Sequence, residues 1–215
     1  MKKSFIFKAL VLLSSTIILA GCNSDEPEQS EKPLNVTILL DLSDRVVRDN
    51  VNPCQKERDM AIVNYMVDKF KNAVKGNKLS IRKDRMKVMF YPTPDISQVQ
   101  IVSKNLDVNL AKLQPAEKKK ALMGMDTVFS EGLNLIYNQT ISTKKWVGCD
   151  IWSFFSNGKV DNFCMADSAR NILIILTDGY LYHKDNIVRE GNNYSYLSPR
   201  ELQNNPNAEL IVKRK

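Results

Sequence analysis

The chain has 215 residues, of which 31 are basic and 24 acidic, giving a formal net charge of +7. This length is sufficient for one domain with a substantial hydrophobic core. The basic residues are scattered and are not interleaved with aromatic residues, so the sequence predicts no nucleic-acid partner. The cysteines form no Cys-x-x-Cys pair, so the sequence indicates neither a zinc ribbon nor a thioredoxin-like motif. The clusters of basic residues are Lys118–Lys120, Lys144–Lys145 and Lys213–Lys215.

The amino-terminal segment has the composition of an export signal. An apolar run at residues 9–20 follows a positively charged start, and it is shorter than the roughly 20 residues that cross a bilayer. It leads into Leu19-Ala20-Gly21-Cys22, which resembles the lipobox of bacterial lipoproteins. The resemblance implies a signal peptide at residues 1–21, a lipid on Cys22, and anchoring to a bacterial membrane on its periplasmic or cell-surface side. An ordinary secretory signal with a coincidental cysteine is the alternative.

Residues 22–33 are predicted to form a flexible tether, because residues 23–33 are polar and acidic and contain no large apolar group. Ser24-Asp25-Glu26 resembles the acidic surface-export tag of some Gram-negative lipoproteins, and a plain solvated linker is the alternative. Removal of three lysines with the signal leaves 28 basic residues against 24 acidic ones, a mild net charge of +4.

Residues 34–215 form the predicted domain, in which strands and helices alternate. Residues 36–40 are a continuous run of β-branched and apolar residues, which predicts a central strand buried on both faces. Residues 171–176 form a second run of this kind. The other predicted elements are a helix at 58–74, a strand at 85–91, an ambiguous segment with a short strand and helix at 92–114, a helix at 115–138 and a helix at 150–156.

Strands that alternate with amphipathic helices predict an α/β domain with an open, mostly parallel sheet flanked by helices. The chain ends soon after the second apolar strand, so we expect a domain shortened at its carboxyl end. Residues 180–196 are predicted to form a tyrosine-rich hairpin or loop, and residues 209–212 to begin a further strand. The predicted buried faces are Ala61, Ile62, Tyr65, Met66, the stem of Lys69, Phe70 and Ala73 on the first helix, and Leu122, Met125, Val128, Phe129, Leu133, Ile136 and Tyr137 on the second.

Both apolar strands run into an aspartate at the edge of the sheet where ligands bind in this class of fold. The first strand leads to Asp41-Leu42-Ser43-Asp44-Arg45, and the second leads to Thr177-Asp178-Gly179. Burial of a carboxylate is costly unless the group is paired or bound to a metal. The two aspartates are therefore predicted to belong to a site.

The segments VTILLDLSDR and NILIILTDGY resemble the von Willebrand factor A (vWA) domain. The resemblance implies a Rossmann-type sheet with a metal-ion-dependent adhesion site, made of a D-x-S-x-S motif, a middle-loop Thr and a late Asp before Gly. Carried over to this chain, it assigns metal binding, usually of Mg²⁺, to Asp41, Ser43 and Asp178. It also implies a non-catalytic binding or adhesion module, in which a carboxylate of the partner often completes the coordination.

Two positions depart from this pattern. Arg45 stands in place of the last Ser of the motif, and a guanidinium cannot bind a cation. Cys149 stands in the slot of the middle Thr and is a poor ligand for Mg²⁺, while Asp150 either binds the metal or caps the helix that follows. The site therefore either keeps its Mg²⁺ or is metal-free, with Arg45 in a salt bridge to Asp44 or Asp178. A solvated turn pair of Asp44 and Arg45 is the alternative for this arginine.

Tyr180, Tyr182 and Arg45 are candidates for contact with a partner, because tyrosine and arginine are enriched at interfaces. Packing of the loop is the alternative for the two tyrosines. His183, the only histidine of the chain, is more typical of a hydrogen-bonded surface residue than of a catalytic base. Trp152 is expected in the core or half-buried.

Cys54, Cys149 and Cys164 would lie outside the cytoplasm, where cysteines tend to pair. Three cysteines predict one bridge and one free thiol. A bridge between Cys54 and Cys149 would tie two loops of the site together, and a bridge between Cys149 and Cys164 is the competing pair.

The sequence thus predicts a membrane-anchored, non-catalytic binding module of the bacterial cell envelope, which engages a protein or envelope partner at the carboxyl ends of its strands. One alternative is an envelope hydrolase or phosphotransferase that uses Asp41, because an aspartate after an apolar strand resembles the haloacid dehalogenase class. Ser43 replaces the second aspartate of that motif. Another alternative is a purely structural lipoprotein with a metal-free site.

Overall fold

The computed structural model describes residues 32–47, 53–76 and 78–179, and the backbone of two short strands at Arg189–Glu190 and Asn193–Tyr194. The described residues belong to one compact unit that begins at Lys32. None of the helices in these ranges is long and apolar enough to cross a membrane. Outside the described residues lie the signal peptide, Cys22, residues 23–31 of the tether, Tyr180, Tyr182, His183 and the strand predicted at 209–212.

From Leu34–Leu40 to Pro115–Thr143 the described strands and helices alternate, as the sequence predicts, and three successive helices, of which Pro115–Thr143 is the first, precede the strand at Arg170–Leu176. One short helix was not predicted, and the longest helix runs on to Thr143 instead of ending at residue 138. The elements are β1 Leu34–Leu40, α1 Gln55–Val74, β2 Arg85–Met89, α2 Ser97–Asn105, β3 Asp107–Asn109, α3 Pro115–Thr143, α4 Ile151–Ser156, α5 Lys159–Cys164, β4 Arg170–Leu176, β5 Arg189–Glu190 and β6 Asn193–Tyr194.

Four strands form one mixed sheet in the order β3-β2-β1-β4. β1 runs parallel to both β2 and β4, and β3 is antiparallel to β2. The α/β class with a mostly parallel sheet is therefore confirmed, and the topology is compatible with a Rossmann-like fold. β5 and β6 pair antiparallel with each other within the segment predicted as a hairpin or loop.

β1 is the central strand, and its residues from Asn35 to Leu40 are buried, as predicted. The prediction that β4 is equally buried is wrong, because residues 171–176 are only half-buried. β4 is the last strand of the sheet in the described part of the chain, so a neighbouring strand there covers one side only. A continuous apolar run thus indicates a strand in this chain without fixing its place in the sheet.

Helix α1 packs into the main core through one apolar stripe. Its fully buried side chains repeat every three or four residues, so they share one helix face. The face predicted from the sequence is confirmed at Phe70 and wrong at Ile62 and Tyr65, because Tyr65 is 59% exposed and Ile62 is also exposed. The buried residues of α1 are Asp59, Val63, Val67, Phe70 and Val74.

Helix α3 lies beside α1 and buries the predicted face with one exception, Val128, which is exposed. Its amino end has a reciprocal cap, in which Glu117 accepts a hydrogen bond from the backbone of Gln114. Pro115 occupies the first helical position, where its fixed φ favours the helix and no backbone donor is needed.

The short helices α4 and α5 cover the opposite face of β1 through a second, smaller apolar cluster that includes Leu39 and Phe154. Two side chains of the sheet bind the carboxyl end of α5: Asn35 Nδ2 donates to Cys164 O over 2.8 Å, and Lys87 Nζ donates to Phe163 O. Burial lowers the pKa of Lys87, and the charge of Arg85 acts in the same direction. The position of a lysine inside the sheet is explained by its hydrogen bond to the helix end.

Candidate functional site

The carboxyl ends of β1 and β4 lie side by side. The backbone N–H of Asp41, the residue after β1, donates to Leu176 O at the end of β4 over 3.0 Å. Leu42 forms an isolated antiparallel bridge with Gly148, which brings the loop before α4 to the same edge. The parallel register therefore gathers the three loops that the sequence assigns to one site.

Asp41 is buried, and both oxygens of its carboxylate accept hydrogen bonds. Oδ1 accepts from the backbone N–H of Ser43 at 2.8 Å, and Oδ2 accepts from Thr177 Oγ1 at 2.9 Å. The Nε of Arg45 lies 3.6 Å from Oδ2. These contacts make Asp41 the point at which the loops after β1 and β4 are joined.

Arg45 is also buried, with 3% of its surface exposed. Its Nε donates to the backbone O of Asp41 at 3.1 Å, and its Nη2 donates to Leu176 O at 3.0 Å. Both terminal nitrogens of the guanidinium also donate to the carboxylate of Asp59, Nη2 to Oδ2 over 2.6 Å and Nη1 to Oδ1 over 3.4 Å. It thus lies between the two strand ends and ties both of them to α1.

The salt bridge expected from Arg45 to Asp44 or Asp178 is wrong, because its carboxylate partners in the described part of the chain are Asp59 and Asp41. The expectation that Arg45 contacts a partner also does not fit this position, since a guanidinium enclosed by backbone and carboxylate oxygens presents almost no surface. Arg45 acts inside the site as a fixed positive charge.

Asp59 and Tyr137 complete the network and were missed by the reading of the sequence. Tyr137 Oη donates to Asp59 Oδ2 over 2.7 Å, and Gln55 Nε2 donates to Asp59 Oδ1 over 3.1 Å. Burial, followed by the charge of Asp59, raises the pKa of Tyr137 far above its ordinary value, so this phenol is a neutral donor. Asp59 precedes Val63 by four residues on the buried stripe of α1, and that spacing is the signal that could have identified it.

Asp150 is the cap of α4, which confirms one of its two predicted roles. Its Oδ1 accepts from the backbone N–H of Ser153 at 3.0 Å, and its own N–H donates to Tyr91 O at 2.9 Å. Cys149 beside it is buried in the second apolar cluster. Burial, with the charges of Asp41 and Asp150, raises the pKa of the Cys149 thiol to about 12, so the sulfur is protonated at neutral pH.

Ser43 and Asp178 occupy different environments at this edge. The hydroxyl oxygen of Ser43 is buried and has no hydrogen-bond partner among the described residues. Asp178 is exposed and lies in the turn where the N–H of Gly179 donates to Thr177 Oγ1 over 3.1 Å. Thr177, which the sequence did not single out, is the residue of this turn that binds Asp41.

The residues of this edge do not fit a hard divalent cation such as Mg²⁺. Both oxygens of Asp41 are engaged, a buried guanidinium stands 3.6 Å from one of them, and the neighbouring thiol is protonated. A cation placed here would be repelled by Arg45 in surroundings that screen charge poorly. In the described ranges, no group of three or more His, Cys, Asp or Glu side chains is arranged to hold a metal ion.

The three described cysteines, Cys54, Cys149 and Cys164, are all free, so the structure lacks the expected bridge. Cys149 lies at the carboxyl edge, whereas the backbone O of Cys164 binds Asn35 near the start of β1. Asn35 and Asp41 are separated by about 20 Å of extended strand, at roughly 3.3 Å per residue. That separation explains why Cys149 and Cys164 do not pair, since a disulfide requires Cα atoms about 6 Å apart.

Comparison with known proteins identifies no relative of this chain: no protein-family model, no curated protein and no solved structure matches it.

Proposed function

We propose that the chain is a lipid-anchored, non-catalytic binding module of the bacterial cell envelope, with a vWA-like fold and a binding edge at the carboxyl ends of β1 and β4. The observation that carries the proposal is the buried guanidinium of Arg45, which joins these two strand ends. In the proposed site, this guanidinium takes the place that a metal ion holds in the vWA adhesion site.

The presence of a buried ion pair between Arg45 and Asp59 is not explained by protein stability alone. Replacement of a buried ion pair by apolar residues of similar volume is often neutral or stabilising, because desolvation of the charges offsets their attraction. The pair does, however, fix the loop at Ser43 and the loop at Thr177 relative to each other. Such fixed loops on a rigid sheet provide the preorganised surface that a binding site requires.

The exposed residues of this edge suggest the chemistry of the partner. Asp44 and Asp178 are exposed beside the joined strand ends, and Trp152 in the first turn of α4 is 48% exposed rather than packed in the core. Tryptophan is enriched among residues that dominate binding energy. We therefore propose a partner surface with an apolar group that contacts Trp152.

The hydrolase alternative requires Asp41 to act on a substrate. Asp41 is buried, and its two oxygens bind Ser43 and Thr177, so an incoming phosphoester would have to displace both contacts. The geometry therefore favours the binding module over a nucleophilic role for this residue.

Titration calorimetry with Mg²⁺, Ca²⁺ and Mn²⁺ on residues 23–215 tests the metal-free site. We expect no heat of binding and no change in melting temperature, because Arg45 already supplies the positive charge. The double variant Arg45→Ser/Asp59→Asn restores the D-x-S-x-S spacing without leaving a buried carboxylate unpaired, and it provides the comparison for a site open to metal. Saturable binding of Mg²⁺ to the unaltered protein would refute the proposed role of Arg45.

Photo-cross-linking in intact cells tests the binding edge. A photoreactive amino acid at position 152 should form a discrete adduct with an envelope component, and Asp178→Lys should abolish it. The same amino acid at Met123, an exposed residue of α3, is the matched control and should give no such adduct. Equal cross-linking at both positions, or an adduct insensitive to Asp178→Lys, would favour the purely structural lipoprotein.

A further inference from the structure

The opposite edge of the sheet, where β1, β2 and β4 begin, is also where the predicted tether joins the domain. Leu34 N donates to Asp84 Oδ1 at 2.8 Å, and Arg170 N donates to Pro33 O at 2.8 Å. These bonds place the starts of β1 and β4 beside the loop that precedes β2. Lys32, the first described residue, is exposed at this edge.

Basic residues concentrate at this amino edge, which the sequence did not reveal. Residues 71–85, from the end of α1 to the start of β2, contain six basic residues and one acidic residue. That acidic residue, Asp84, is buried and accepts hydrogen bonds from Arg82 at 2.7 and 2.9 Å, so it is already neutralised. The exposed basic residues of the segment are Lys75, Lys78 and Lys83.

The amino end of α3 adds further positive charge to the same edge. Lys118 Nζ donates to Ser80 O at 2.7 Å and to Arg82 O at 2.8 Å, which holds the first turns of α3 against the loop before β2. Lys119 and Lys120 follow directly and are exposed. The hydrogen bonds of Lys118 thus bring two basic clusters that are about 40 residues apart in sequence to the same edge of the domain. We define this face by its exposed residues Lys32, Lys75, Lys78, Lys83, Lys119, Lys120 and Arg170.

Ile81 lies in the same loop and is 69% exposed. It belongs to a short 3-10 turn, Leu79–Ile81, between the lysines at positions 78 and 83. An exposed apolar side chain surrounded by lysines is typical of a surface that rests on lipid head groups with one side chain inserted below them.

We propose that the basic face binds the surface of an anionic phospholipid membrane. This proposal rests on the proposed function, because the lipid anchor on Cys22 is what would orient the domain on the membrane. The tether from Cys22 would reach the domain at Lys32, within this face. A lipid chain and a polybasic surface on the same side bind a membrane together far more strongly than either does alone. The acidic edge with Asp44 and Asp178 then points away from the membrane, toward a partner.

Co-sedimentation of residues 23–215 with vesicles tests the basic face without the lipid. The vesicles contain either phosphatidylglycerol mixed with phosphatidylethanolamine, or phosphatidylcholine alone. We expect binding to the anionic vesicles only, and a steep loss of binding as salt rises, because salt screens surface charges. Lys75→Glu/Lys83→Glu should weaken the partition more than tenfold, at about fivefold for each lysine removed from an anionic surface.

The matched control is Lys144→Glu/Lys145→Glu, which makes the same change in net charge at exposed residues after α3. It should leave vesicle binding nearly unchanged. Ile81→Ser should weaken binding to anionic vesicles while leaving its salt dependence intact. Equal losses in the two double variants would show a general effect of net charge and would overturn the proposal, as would binding to duplex DNA without binding to anionic vesicles.

Metabolic labelling of the full chain with radioactive palmitate separates this inference from the proposed function. Loss of label in Cys22→Ser is expected if the lipobox is processed. Absence of label in the unaltered chain would refute the lipid anchor even where residues 23–215 bind vesicles. If the full chain is labelled but residues 23–215 do not bind anionic vesicles, the result refutes the membrane-binding role of the basic face and leaves the lipid anchor intact.

Discussion

Arg45 and Asp59 form a buried bidentate ion pair that joins the loop after β1 to the first turns of α1. Arg45 Nη2 lies 2.6 Å from Asp59 Oδ2, and each residue is at most 3% exposed. Because the same guanidinium donates to Leu176 O, the pair also holds the end of β4. Removal of either charge alone would leave the other buried without its partner, so the two residues should act as one unit in stability measurements.

Arg45→Met is expected to lower the free energy of unfolding by about 3–5 kcal/mol, because it leaves the carboxylate of Asp59 buried and unpaired. Urea unfolding of residues 23–215, followed by circular dichroism, measures the change. Asp59→Leu should have an effect of similar size, because it leaves the guanidinium of Arg45 buried without its carboxylate partner. The double variant Arg45→Met/Asp59→Leu should recover most of the loss.

The exposed pair of Lys71 and Asp126 provides the control for this cycle. Lys71→Met should cost less than about 1 kcal/mol, because an exposed ion pair is screened by solvent. Strictly additive effects of Arg45→Met and Asp59→Leu would contradict the coupling inferred from the geometry.

Tyr137→Phe removes the hydroxyl that donates to Asp59 and should cost about 1–2 kcal/mol at neutral pH. The variant should also change the dependence of stability on pH. The raised pKa of Tyr137 in the folded protein means that its contribution is fully present below about pH 10, the pKa of an unfolded tyrosine, and is lost as pH rises beyond it.

Unfolding by urea at neutral pH and near pH 11 would measure this difference, with Tyr65→Phe as the control at an exposed tyrosine. The gap in stability between the unaltered protein and Tyr137→Phe should narrow at the higher pH. A gap that is constant over this range would show that Tyr137 ionises as readily in the folded protein as in the unfolded chain.

The sequence predicted the fold class because strand runs and helical spacing are local signals. β1 was recognised from its apolar run, and the meeting of Asp41 with Thr177 and Asp178 at one edge followed from the parallel arrangement. The cap at Asp150 was predicted for the same reason, since a cap is read from residues within one turn. Local patterns therefore located the loops of the candidate site.

The chemistry within the site could not be predicted in the same way. Arg45 was paired with nearby Asp44 or Asp178, whereas its partner Asp59 belongs to a helix whose buried face was misjudged. The error arose because α1 carries apolar residues on two faces. The face with Ile62 and Tyr65, which is exposed, has the same helical spacing as the buried face with Val63 and Val67. Only the packing of α1 against α3 decides which face is buried.

Asp150→Ala is expected to destabilise the domain by about 1 kcal/mol, the usual cost of losing a helix cap. Asp150→Asn should retain most of the stability, because an amide oxygen can accept the same hydrogen bond from Ser153. The effects measured by thermal unfolding should be the same with Mg²⁺ and with a chelator. A loss in Asp150→Ala that appears only when Mg²⁺ is present would instead assign Asp150 to a metal site.

Thiol labelling should distinguish the three described cysteines of residues 23–215. Cys54 is only half-buried and should react first with iodoacetamide, whereas the pKa of Cys149, raised to about 12, leaves almost no thiolate at pH 8. Burial also raises the pKa of Cys164, although the charge of Lys87 acts against it. Mass spectrometry of the labelled peptides measures each rate.

The expected order is Cys54 first, with Cys149 and Cys164 modified only under unfolding conditions. Cys54→Ser should abolish the fast phase and leave the slow reaction unchanged. Both buried thiols should be alkylated as soon as urea unfolds the domain, because unfolding returns them to water and to an ordinary pKa. Rapid labelling of Cys149 in the folded protein would mean that the loop between Gly148 and Asp150 opens readily, and that the edge around Asp41 is not the rigid surface on which the proposed binding depends.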